Sequence, residues 1–328
     1  MNSQSFAKNS RAVTDYALRV AFNNRHAAGA ILLKLTGAFF SFLVIFTVAR
    51  SGGAAVTGDY AMAIATSNLA ALVATFGLDQ ITVRTLGGDL RQGRPEQARA
   101  ALRLVVRFVA PMAVVSAGLM MAFSRFAPAI GATTMTMIYA AFSVPAFVLW
   151  RIAVMTLRAS GSILWSQFID GLAHSALILI LVGATLLSGR TVTSAWLATL
   201  YSFSLSAVTA IAWITVVPRI RAWPKGGEAK AGLVFSGWPI FVTALFQMLT
   251  QWLVMAQMGA EVGVTHVGAY RVANQVVIIV ALMSTTIETL YNPQFAGDFR
   301  TGDHKGAWAR HRRASGMMLA AAFLPIVM

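Results

Sequence analysis

The segment TVTSAWLATLYSFSLSAVTAIAWITVV, residues 191–217, contains no charged residue. About 20 predominantly apolar residues span a bilayer as a helix, because in hydrocarbon every backbone N–H and C=O must be bonded within the segment. Such runs recur along the chain, at roughly 27–49, 58–81, 103–124, 130–150, 163–187, 192–217, 233–257 and 267–290. Composition agrees: 57% of the 328 residues are hydrophobic and 11% are charged, where a soluble domain carries about a quarter charged residues. The sequence therefore specifies an all-α membrane protein with many spans. A ninth run begins near Ala314 and meets the last residue, Met328. A helix that stopped in mid-bilayer would leave polar groups unpaired, so the sequence reads as a fragment, C-terminally truncated.

The charges sort themselves between the spans. Of the 26 Lys and Arg, 22 fall in segments 1–34, 84–107, 151–158, 219–230 and 300–313, which a cytoplasmic N-terminus places on one side. The other side holds Arg50, Arg125 and Arg190, and Arg271 lies within a span. This bias predicts a multi-pass protein with its N-terminus in the cytoplasm. It also accounts for the net charge of +15 without nucleic acid, for which no aromatic-basic module is present. The first apolar run, from Ala27, lacks a cleavable-signal flank and reads as the first span. There is no cysteine, which excludes disulfides, thiolate metal sites and a cysteine nucleophile. No Walker loop, HExxH or GxSxG pattern occurs, so an enzyme is not expected, nor a cofactor or metal. The connections on the far side are short, roughly 4–10 residues, and leave no room for a catalytic domain there.

The chain repeats itself. GDLRQG at 88–93 returns as GDFRTG at 297–302, GDY at 58–60 as GAY at 268–270, and ARSGG at 49–53 faces AQMGA at 256–260. In the register of the GDLRQG pair Asp79 faces Glu288. Six spans separate the copies, an even number, so both run the same way through the membrane. That is a parallel repeat about an axis along the membrane normal. It predicts two six-helix bundles related by a pseudo-two-fold axis: a cytoplasmic segment 1–26, a first bundle 27–217, a linker 218–232 and the incomplete start of a second bundle, 233–328. GDLRQG itself reads as a glycine-flexed inner loop.

The pattern AR-x-GG…G-x-Y…GLDQ-x-x-VR, residues 49–84, with Ala49, Arg50, Gly52, Gly58, Tyr60, Gly77, Leu78 and Arg84, resembles the opening helices of polysaccharide exporters, the O-antigen-type flippases. These belong to the multidrug/oligosaccharidyl-lipid/polysaccharide flippase superfamily. The resemblance implies a MATE-like fold and the flipping of an undecaprenyl-diphosphate-linked oligosaccharide across a bacterial inner membrane. It also implies the lipid bilayer, a polysaccharide polymerase and other assembly proteins as partners. A multidrug cation antiporter of the same superfamily is the alternative, followed by a membrane-embedded polymerase or ligase.

A diphosphate needs cations, and an Arg or Lys inside a span normally faces a polar interior. Arg271 is the first candidate, with Lys34 and Arg50 beside it; Lys34 can equally snorkel to the interface. Asp170 and His174 are four residues apart on one helix face, either satisfying each other or relaying a proton or ion. Asp79 and Glu288 are further candidates for ion coupling, with salt bridges to Arg84 or its neighbours as the plainer reading. Asp59 suits the cap of its own helix. Asn68, Gln247, Gln251, Asn274 and Gln275 can meet sugar hydroxyls or bond between helices.

Overall fold

The computed structural model describes residues 3–229, 232–275 and 277, with isolated positions at 308, 311–312 and 315–316, and side chains from residue 32 onward. The second copy of the glycine phrase, at 297–302, and Glu288 lie outside the described residues.

The first helix, α1 (Ser3–Thr75), is continuous in hydrogen bonding except at Gly53, whose φ of 79° and ψ of 176° only glycine adopts readily. Its apolar part, Leu32–Thr75, has 44 residues, about 66 Å of helix against a hydrocarbon core of about 30 Å. One straight crossing is impossible. The break at Gly53 makes two arms, both of which line one cavity. The second arm ends where Phe76 (φ 50°) and Gly77 (φ 71°) turn left-handed, and α2 (Leu78–Arg91) follows.

Next come α3 (Pro95–Phe123), a 3₁₀ extension (Ser124–Ile130), α4 (Thr134–Ala141) and α5 (Ser143–Ala159). A broken span holds α6 (Ile163–Gln167), a π-helical turn (Phe168–Ala173) and α7 (His174–Leu187). Two long helices complete the series, α8 (Ser194–Ala222) and α9 (Trp238–Glu261). Residues 264–275 are again helical. Among the described residues six helical segments are long and apolar enough to cross a membrane, with both arms of α1 in one of them. These segments cover the first seven apolar runs of the sequence; most of the eighth, 267–290, and of the ninth lie outside the described residues. The difference lies at GDLRQG: Gly88–Arg91 form the last turn of α2, and the turn itself is confined to Gln92 and Gly93, the latter at φ 69°. An amphipathic helix extends the chain where a loop was expected, because leucine and isoleucine recur on the face of α2 that packs on α3 and α5.

Two apolar clusters hold the helices together. One joins the second arm of α1 to α2, α3, α4, α5 and α9, with Met62, Leu78, Leu86, Leu102 and Met137 fully buried and Met255 and Ala256 contributed by α9. The other joins the first arm to α5, the π-helical turn, α7 and α8 through Val48, Leu157, Ile169, Val182, Leu197 and Leu205. Large side chains such as Leu119, Leu187, Phe203 and Ile214 are turned outward, which suits lipid and not water.

Carboxylates inside the bundle tie helices together. Asp59 is 4% exposed and accepts hydrogen bonds from the Thr133 N–H (2.7 Å), Thr133 Oγ1 (2.7 Å), Thr136 Oγ1 (2.8 Å) and Ser194 Oγ (2.6 Å). It therefore binds the starts of α4 and α8 and does not cap its own helix, which begins a full turn earlier, after Gly53. Asp79 pairs with Arg151 of α5 at 2.6 Å, not with Arg84, which is exposed on α2. Seven residues further along α5, Arg158 pairs with Asp170. Two arginines on one face of α5 thus anchor α2 and the π-helical turn.

Glycines bring the second bundle's first helices against the first bundle. A Cβ on Gly58 would strike the Val264 carbonyl and the Gly268 amide, and one on Gly268 would strike the Ala54 carbonyl and the Gly58 amide. Gly131 meets Gly259 in the same way. Both contacts lie at the Gly53 end of the bundle. At the opposite end Gly77 meets Gly237, with Phe76 stacked on Phe241 at 4.9 Å. In lipid, such backbone approaches replace the hydrophobic drive between helices with close van der Waals packing.

Candidate functional site

Between these glycine contacts lies a cavity of about 270 Å³. The first arm of α1 contributes Ser41, Val44 and Ile45, and the second contributes Tyr60, Ala61, Ile64, Ala65 and Asn68. The π-helical span adds His174, Ser175 and Ile178, α8 adds Tyr201, and α9 adds Met248, Gln251, Trp252 and Met255. Tyr270, Arg271 and Asn274 close it from the helical stretch 264–275. The cavity is thus built from helices on both sides of the segment 218–232, near the middle of the spans.

The repeat explains this wall. The equivalent glycines of GDY and GAY, Gly58 and Gly268, are the pair whose backbones touch. Two copies related by an axis can meet at equivalent positions only beside that axis. Two residues further on, both copies turn a tyrosine, Tyr60 and Tyr270, into the cavity. One more residue breaks the symmetry: the first copy has Ala61 where the second has Arg271.

Arg271 is the one Lys or Arg on the wall among the described residues, and no Asp or Glu lines it there. Tyr60, Tyr201 and Tyr270 are its electrostatic neighbours. Among the described residues no carboxylate pairs with it, the salt bridges being those of Arg151 and Arg158. A guanidinium in that setting offers planar donors to an anion from the cavity. His174, on the same wall, has its Nδ1 3.0 Å from Ser204 Oγ and its ring edge-on to Tyr201 at 4.8 Å. Tyr201 also packs edge-on to Tyr60, 6.3 Å away. At the other end of the cavity Trp252 Nε1 donates to Thr66 Oγ1 at 2.9 Å and fixes α9 to the second arm of α1.

The other residues singled out from the sequence are scattered. Lys34 and Arg50 are exposed and do not line the cavity. Lys34 sits on the first arm two turns before the wall residues begin, and Arg50 lies past them, close to Gly53. Asp170 and His174 do not satisfy each other. Asp170 accepts from Arg158 Nη2 of α5 and His174 bonds to Ser204 of α8, each engaged by a different neighbouring helix. Asp79 is held by Arg151 outside the cavity. Of the amides, Asn68, Gln251 and Asn274 line the cavity. Gln275 stands behind it and donates to Ser41 Oγ at 3.3 Å. Tyr60 and Tyr270 entered the sequence reading only as part of the repeated G-x-Y and not as site residues, and nothing local marks Tyr201 or Trp252.

No protein-family model matches the chain, and no curated protein matches it by sequence. Among solved structures it is similar to the MATE multidrug transporter DinF-BH, with a TM-score of 0.59 and 14% identity over 92% of this chain and 69% of that one. At that identity the likeness establishes the fold: this chain is a multi-pass helical membrane protein with a MATE-like arrangement of its spans.

Proposed function

We propose that this protein is a bacterial inner-membrane transporter that carries a lipid-diphosphate-linked oligosaccharide from the cytoplasmic to the periplasmic leaflet by alternating access. The observation that carries this reading is Arg271, a cation on the wall of a mid-span cavity with no carboxylate facing it among the described residues. A charge in that position is expensive unless a polar interior and an anion use it. The MATE-like fold supplies two bundles that can rock about such a site. The polysaccharide-exporter pattern at 49–84 points to a lipid diphosphate as the anion, with other polysaccharide-assembly proteins as its neighbours in the membrane.

A cation antiporter is the competing reading, since the structurally similar protein is a multidrug transporter. Cationic drugs call for acidic walls, and the described wall carries none. The two readings separate in a binding competition on the purified protein in detergent. The lipid-diphosphate oligosaccharide is expected to bind at least tenfold more tightly than a lipophilic cationic dye, and Arg271→Glu to remove that preference. Tighter binding of the dye by the unaltered protein would instead establish the antiporter reading.

A further inference from the structure

Helix α3 turns one side toward the membrane, and that side begins with two arginines. At about 100° per residue, Arg103, Arg107, Val114 and Gly118 fall within roughly 60° of one another around the helix, and all four are exposed. Leu102, Val105 and Val109 on the opposite side are buried in the core. Depth follows from the helix itself. Residues 108–124 carry no charge and Arg125 comes next. From Arg107 to Arg125 the helix rises about 27 Å, slightly less than a hydrocarbon core of about 30 Å. Arg107 therefore stands at the edge of the hydrocarbon, and Arg103 lies one turn, about 6 Å, nearer the water. That is the depth of lipid headgroups.

Neither arginine is engaged by the protein. Arg99, one turn before Arg103, donates to the Trp223 carbonyl at the end of α8. The ion pairs among the described residues are those of Arg151 and Arg158, so Glu96, two turns before Arg103, leaves it unpaired. Like charges four residues apart on a helix repel each other. A phosphate between them replaces that repulsion with charge-assisted hydrogen bonds to both guanidinium groups.

We infer that Arg103 and Arg107 form a binding site for the headgroup of an anionic phospholipid, with its acyl chains lying along the Val114 and Gly118 side of α3. A zwitterionic headgroup carries a cation of its own, which the two arginines repel, so the site selects phosphatidylglycerol over phosphatidylcholine. It is separate from the transport site, because α3 contributes no residue to the cavity wall, and it stands whatever the cavity carries.

The test titrates phosphatidylglycerol or phosphatidylcholine into the full-length purified protein in a neutral detergent and counts bound lipid by native mass spectrometry. The unaltered protein is expected to bind phosphatidylglycerol at least about fivefold more tightly than phosphatidylcholine. The double variant Arg103→Gln, Arg107→Gln is expected to bind the two lipids within about twofold of each other. Both side chains are exposed, so in lipid-free detergent it should melt with the unaltered protein, which shows that it is folded. Arg221→Gln removes another exposed arginine, from the last turn of α8, and is expected to keep the preference. Equal binding of the two lipids by the unaltered protein overturns the inference, and so does a preference that survives in the double variant. An equal loss in Arg221→Gln overturns it too, because the preference then belongs to the net charge and not to a site on α3.

Discussion

Gly268→Val is expected to be the most damaging single substitution in the described part of the chain. A Cβ at Gly268 has nowhere to go: it meets the Ala54 carbonyl carbon at 2.9 Å and the Gly58 amide nitrogen at 3.0 Å, with the Ala54 carbonyl oxygen closer still. These are backbone atoms of a helix and cannot rotate away, so the two helices must part. Overpacking a tight interface costs about 1–3 kcal/mol and sometimes more, and here the added bulk also opens the cavity wall beside Tyr60 and Arg271. The expected result is a fall of roughly 2–5 °C in the apparent melting temperature, read by size-exclusion chromatography of heated detergent-solubilised protein, together with loss of transport. Gly118→Val is the control. Gly118 lies in α3 with nothing within 4 Å of a Cβ, so that variant should melt with the unaltered protein. Equal behaviour of the two valine variants would show that the Gly58–Gly268 approach does not hold the bundles together.

Asp59→Ala should come next. Four donors from Thr133, Thr136 and Ser194 converge on this carboxylate, and Ser194 sits at the first residue of α8. Removing the acceptor leaves buried donors unmade, at about 1–3 kcal/mol each before the hydroxyls re-pair among themselves. Thr133 and Thr136 are already 2.6 Å apart, so partial re-pairing is available and the net loss should be on the order of 3 kcal/mol. Asp59→Asn keeps the shape and one carbonyl oxygen, and should lose less than half as much. Thermal melting of the two variants decides it; an alanine variant as stable as the unaltered protein would mean that α4 and α8 are fixed by apolar packing alone.

The spans were legible in the sequence because hydrocarbon permits so few alternatives: an uncharged run such as 191–217 must become a helix, and α8 (Ser194–Ala222) is that helix. Arg271 was legible for the same reason, since a cation within a span demands a polar surround. What the sequence concealed was direction around the helix axis. Lys34 and Arg271 read alike as intramembrane cations, yet only Arg271 is turned into the cavity, and that depends on which face of each helix packs. Asp170 and His174 show a finer failure. Their four-residue spacing promised a pair, but partners on two neighbouring helices, Arg158 of α5 and Ser204 of α8, take them instead, and nothing local in the sequence announces either. Asp59 looked like a cap for its own helix because Gly53, the true start, does not declare its backbone angles in one letter. The repeat carried more than it first suggested. GDY and GAY mark the helix pair that meets beside the axis, and the step from Ala61 to Arg271 at equivalent positions is where duplication gave way to a one-sided charge.

The most direct measurement is translocation itself. Full-length protein is reconstituted in vesicles with a fluorescent lipid-diphosphate oligosaccharide, and movement between leaflets is followed by accessibility to a membrane-impermeant quencher, with Arg271→Ala and Lys34→Ala in parallel. The unaltered protein and Lys34→Ala should move the probe at rates within about twofold of each other, and Arg271→Ala at least tenfold more slowly. Equal rates for Arg271→Ala and the unaltered protein, or no movement above empty vesicles, would contradict the account.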